Sequence, residues 1–150
     1  MTFNKIFHDR LSVSYLLFVM SLMLHVTDET INHFLDFYNP LVQKLKERLT
    51  FFPFPTFSFS IWITGLGLLI VILLILTPVV YSRKKFILLI MRVFAILMIF
   101  NGLGHLAFSI YYGKIIAGML SSPFLIFFSA FFFFQAQKNS RAFLSNKNNV

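Results

Sequence analysis

The sequence predicts an all-α fold: a polytopic membrane protein with four transmembrane helices and one interfacial amphipathic segment after the first span. Three observations carry this expectation. Of the 150 residues, 58% are hydrophobic and only 12% charged, where soluble domains carry roughly 25% charge. Mean hydropathy is +0.81. Three apolar runs reach the ~20 residues needed to cross the hydrocarbon of a bilayer, and a fourth falls just short.

The short run comes first, at 11–27, behind Lys5 and Arg10. A basic start and a brief apolar core are also the marks of a signal peptide. Where a small-residue cleavage site would stand, however, the chain reads Leu24-His25-Val26-Thr27-Asp28-Glu29, so a retained helix is expected. The other spans are expected at 60–81, 86–110 and 115–135, within one transmembrane domain that covers 1–150 and ends in a disordered tail, 138–150.

Residues 28–59 are too polar to cross and too apolar for a free loop, which predicts a segment lying on the outer surface. Asn39-Pro40 is expected to break it in two. Beyond the break, Leu41, Val42, Leu45 and Leu49 recur at helical spacing opposite Lys44, Lys46, Glu47 and Arg48, the pattern of an interfacial helix. The rigid, aromatic Phe51-Phe52-Pro53-Phe54-Pro55 then returns the chain to the bilayer rim.

With four spans, both termini and the Arg83-Lys84-Lys85 turn share one side. That side carries eight Lys and Arg against four on the other (Lys44, Lys46, Arg48, Lys114), which places both termini in the cytoplasm. Arg92 falls inside the third span, about 10 Å past Lys85, within reach of the interface by snorkelling. The net charge of +8 belongs mostly to these membrane flanks, so no nucleic-acid partner is expected. The expected partners are membrane lipids, an apolar small molecule and, for a carrier of so few spans, further copies of the chain.

Zero cysteines exclude disulfides, iron–sulfur clusters, thiolate zinc sites and cysteine nucleophiles. What chemistry remains lies in two polar clusters, set where an Asp at a helix centre costs at least ~2.5 kcal/mol. His25, Asp28, Glu29 and Asn32 share one helical face at about 100° per residue, with His33 at its edge. Asn101 and His105 are four apart in the third span. Counted from the inner boundary at 1.5 Å per residue, His25 and Asn101 lie at ~21 and ~22 Å, and Glu29 and His105 at ~27 and ~28 Å. Ser121 and Ser122, descending in the fourth span, approach the same level, and Gly102, Gly104 and Gly118 allow close backbone approach.

The candidate metal ligands are therefore His25, Asp28, Glu29 and His105, a donor set suited to zinc or non-haem iron. Glu29, His25, His105 and Asn101 are the candidate catalytic groups, with Asn101 orienting a histidine or a substrate oxygen. The same residues suit a metal-free acid–base or proton-relay site. They also suit helix ends that merely hydrogen-bond, since Thr27, Asp28 and Glu29 match a helix N-terminus.

His25-Val26-Thr27-Asp28-Glu29 resembles the H-x-x-E-E signature of the HXXEE-domain membrane proteins, with Asp28 in place of the first Glu. Asn101 to His105 is similar to that family's N-x-x-x-H element, and Ala117-Gly118 stands where the family has Pro-Gly. The resemblance covers nearly the full length. It implies a small bacterial integral protein of the inner membrane, largely uncharacterised, and it supports the site residues without supplying a reaction. Three classes of function remain open: an enzyme acting on a lipid or other apolar substrate, a carrier or binding protein for an ion, proton or lipid, and a structural membrane subunit.

Overall fold

The computed structural model describes residues 9–49 and 51–147, the stretch 141–147 by backbone alone. Lys5, His8 and the last residues of the expected tail, 148–150, lie outside it. Among the described residues the chain is helical with no strand: α1 (Arg10–Ile31), α2 (Phe34–Arg48), α3 (Phe59–Ile75), α4 (Thr77–Tyr81), α5 (Lys85–Tyr112) and α6 (Ser122–Lys147).

Asp9 starts α1 by accepting hydrogen bonds from the Ser12 N–H (3.1 Å) and hydroxyl (3.0 Å), satisfying one of the free donors of the first turn. From there α1 runs through the middle of the bundle. Its apolar window is 56% buried, against 22% for α5, so α1 is the central helix and α5 a peripheral one. Phe18 stacks on Phe132 of α6 (5.6 Å, 4° between planes) and meets Phe94 of α5 edge-on (5.7 Å). Tyr15 packs against Phe132 as well (5.3 Å). These rings form the centre of the core, with α5 and α6 making the largest helix interface and α1 against α6 the next.

Several boundaries differ from the sequence expectation, each for an identifiable reason. The first helix does not stop near 27 but continues to Ile31, with the Thr27 and Thr30 hydroxyls donating to the helix carbonyls of Met23 and Val26. The chain breaks at Asn32 and at His33, which adopts the left-handed conformation (φ 54°), not at Asn39-Pro40. Pro40 lies inside α2, whose apolar face continues across it. Asn39 ties α2 to the segment that follows it. Its side-chain amide donates to Phe57 O (2.9 Å) and accepts from Phe57 N–H (3.0 Å), imitating a strand partner and pinning the extended stretch 51–58.

The expected span 60–81 is two helices. Pro78 brings no N–H and crowds the carbonyl of Leu74; the Thr77 hydroxyl donates to that carbonyl (2.8 Å), and the Tyr15 phenol donates to its neighbour, Leu73 O (2.8 Å). The expected span 115–135 begins only at Ser122. Gly113 ends α5 in the left-handed conformation, and residues 114–121 fold back as turns before α6 starts. At the far end, α6 runs on to Lys147, so the tail expected to be disordered from 138 is helical as far as it is described.

Two helices, α1 and α5, are long and apolar enough to cross a membrane. The apolar α3 is shorter, at 17 residues, and four spans are not established. Exposed aliphatic side chains on α3 (Ile61, Leu68, Val71, Ile75) and on α5 (Leu89, Val93, Leu97) give these helices greasy outer faces.

Candidate metal and acid–base centre

The last two turns of α1 carry His25, Asp28 and Glu29. Carboxylates near a helix C-terminus face the unfavourable end of the helix dipole, and Glu29 is buried besides. The groups that compensate come from elsewhere in the chain. His25 is 1% exposed, Glu29 5% and His105 5%.

The two imidazoles meet edge to face, with ring centroids 4.8 Å apart. His105 Nδ1 lies 2.7 Å from Ala117 O, which can only accept, so that nitrogen carries a proton. Its Nε2 faces Glu29 Oε1 at 3.0 Å. His25 is tied in the same sense. Ser121 Oγ gives its one proton to Asp28 Oδ2 (2.7 Å), so His25 Nδ1 donates to Ser121 Oγ at 2.9 Å. That leaves His25 Nε2 as an acceptor, 3.6 Å from Glu29 Oε1 and receiving the Asn101 amide at 3.0 Å.

Both rings therefore present Nε2 to one carboxylate oxygen. Three lone-pair atoms of His25, Glu29 and His105 lie within 4.8 Å of one another. Metal bonds of 2.0–2.2 Å place tetrahedral donors ~3.3 Å apart, and the two distances to Glu29 Oε1, 3.0 and 3.6 Å, bracket that value. Nδ1–H held by a carbonyl on one ring and by a hydroxyl on the other is the outer support that fixes ligand histidines. Two imidazole nitrogens and one carboxylate oxygen are donors of the kinds that hold zinc or iron, and the group is a candidate cation site. The Asn101 N–H is the one group in the way, since it uses the His25 lone pair that a metal would take.

Asp28, expected as a ligand, stands one layer out. Its Oδ2 takes both the N–H (2.9 Å) and the hydroxyl of Ser121, and its Oδ1 the amide of Asn32 (2.7 Å). The side chain is one methylene shorter than that of the motif's Glu and is engaged by the turn before α6; its effect on the centre passes through Ser121 to His25. His33, at the helical edge, is exposed and starts α2 instead of joining the cluster.

Two of the three glycines sit at contacts. A Cβ on Gly118 (φ 83°) would come within 2.7 Å of the His105 ring and 3.0 Å of His25; a Cβ on Gly102 would meet Ile126 at 2.7 Å. Gly104 has nothing within 4 Å and serves no close approach. Sequence reasoning missed the Ala117 carbonyl and the ring of Phe34, 5.3 Å from His105. A backbone carbonyl leaves no trace in residue type; the Gly118 beside it was the available sign.

Beside His105 lies an apolar groove of about 310 Å³ between α2 and α5, which Asn101 and Gly104 also line. No curated protein and no solved structure matches the chain. A family model does, over residues 16–133: a protein of unknown function with an HXXEE motif. The chain belongs to that family, and the matched stretch contains every residue of the centre.

Proposed function

We propose that this HXXEE protein is a membrane-embedded enzyme that holds zinc or non-haem iron on His25, Glu29 and His105 and acts on a lipid or other apolar substrate. The observation that carries the reading is the convergence of two Nε2 atoms, each ring fixed through its Nδ1, on one buried carboxylate oxygen. Two histidines and one carboxylate with positions left open are the donor set of hydrolytic zinc sites and of iron oxygenases. A bound ion would supply an activated water or oxygen and a Lewis acid. The chain's own part is to hold the rings in one tautomer, to keep water away with Phe34 and the α1–α6 contact, and to admit an apolar molecule beside His105.

The apolar α3 and the Phe-rich run of α6 support two further crossings beyond α1 and α5, and the Lys and Arg distribution supports cytoplasmic termini in a bacterial plasma membrane. A second reading rests on the 3.0 Å separation of His105 and Glu29, a hydrogen-bond length across which one proton is shared. On it the centre works without metal, as an acid–base pair or proton relay, in an enzyme or in a carrier built from several copies.

Elemental analysis of detergent-purified protein, beside a His25→Ala, His105→Ala double variant, separates the readings. Near-stoichiometric zinc or iron that disappears in the variant is the expected result. Metal-free protein with intact helical structure would overturn the metal centre and leave proton chemistry or a structural role.

A further inference from the structure

The groove beside the centre is long, narrow and almost wholly apolar. One face of α2 lines it for most of the helix's length, through Phe34, Tyr38, Leu41 and Leu45, and Phe52 and Phe54 add to its wall. From Phe34 to Leu45 the helix rises about 16 Å, so 310 Å³ spread over that length leaves a section of about 20 Å². That is room enough for one extended hydrocarbon chain along the helix.

Polarity is confined to one place. The Tyr38 hydroxyl is used on Pro55 O (3.1 Å), and the remaining polar lining is Asn101 and His105. Among the described residues the Asn101 amide oxygen accepts no hydrogen bond, its nitrogen being engaged with His25. At the same level Gly104 lines the groove and leaves open space that a large side chain would occupy.

The geometry points to a single-chain amphiphile as the ligand of this site, its hydrocarbon chain lying along α2 and its polar end against the Asn101 amide oxygen beside the centre. This rests on the reading of the centre for its catalytic meaning, but the groove is testable without it. The polar lining lies beside the buried His/Glu cluster, so the polar group of the molecule and the centre would meet.

The probe is palmitic acid carrying a diazirine in its chain, photolysed with the detergent-solubilised protein, with adducts mapped by mass spectrometry and metal content measured in the same samples. Adducts are expected on the groove faces of α2 and α5. Gly104→Phe should reduce them about tenfold, the equivalent of a modest steric penalty. Leu41→Trp, which fills the groove from the opposite wall, should do the same and guards against a local defect in α5. Gly65→Phe, on α3 with equally open space, should leave them unchanged.

Adducts spread over the exposed faces of α3 and α5, and indifferent to both filling variants, would overturn the proposal. Groove labelling that survives in metal-free protein supports the groove while the metal centre falls. Metal-loaded protein without groove labelling does the reverse.

Discussion

The packing of α1 against α6 and the turn that precedes it changes character within about two turns. At Tyr15, Phe18 and Phe132 it is a stack of rings; at His25, Asp28 and Ser121 it is a chain of hydrogen bonds to buried groups. The ring layer is held by dispersion, the sum of many small and separable contacts. The polar layer is a network in low dielectric, where losing one member leaves the others unsatisfied. Ring packing and the buried polar cluster thus occupy different levels along α1, and substitutions should tell the levels apart.

The largest expected effect belongs to the ring layer. Phe132→Ala removes a fully buried ring that both Tyr15 and Phe18 touch, and should destabilise the bundle by about 3 kcal/mol or more. Thermal unfolding in detergent measures this, and on the metal reading of the centre the metal bound per folded molecule should stay at the wild-type level. A parallel loss of metal would erase the separation of levels.

Gly118→Ala should strike the other layer. Left-handed strain alone is worth about 1–3 kcal/mol, and the added methyl would displace both imidazoles. Metal retention is expected to collapse while the unfolding temperature falls less than for Phe132→Ala. Retained metal would mean that the rings do not hold it.

Asp28→Asn sharpens the contrast further. It keeps the size of the side chain but removes one of the two acceptor oxygens that serve Ser121 and Asn32. As an outer support, Asp28 should lower metal affinity by about 10–100-fold when replaced, without abolishing binding, read by competition with a chelator. Full loss of binding would return Asp28 to the ligand set.

The smallest effect should come from Asn39→Ala, which releases the 51–58 stretch from α2 at a cost of about 1 kcal/mol. Faster hydrogen exchange confined to that stretch is expected, with the metal untouched.

How much of this was legible before folding differs from element to element. The spacing of His25 to Glu29 and of Asn101 to His105 places each pair on one face because a helix repeats every 3.6 residues. The matching depths follow from the same rise per residue, and the structure brings these four side chains together. The turn at 114–121 was not legible. Apolar composition reads the same in a descending span and in a folded-back segment, and only the left-handed Gly113 and Gly118 separate them.

Asp28 is the sharper case. By residue type it ranks with Glu29 as a ligand, and adjacent positions on a helix differ by about 100° in direction, so one carboxylate turns inward and its neighbour toward α6. The amino-acid sequence by itself determined an all-helical, strongly apolar chain and the two polar faces that it carries, since these depend on composition and on local periodicity. Only the tertiary structure decided which carboxylate enters the centre, which carbonyl and hydroxyl orient the histidines, and where a groove opens beside them. Those depend on the angle and register at which distant helices pack, and no local rule carries that information.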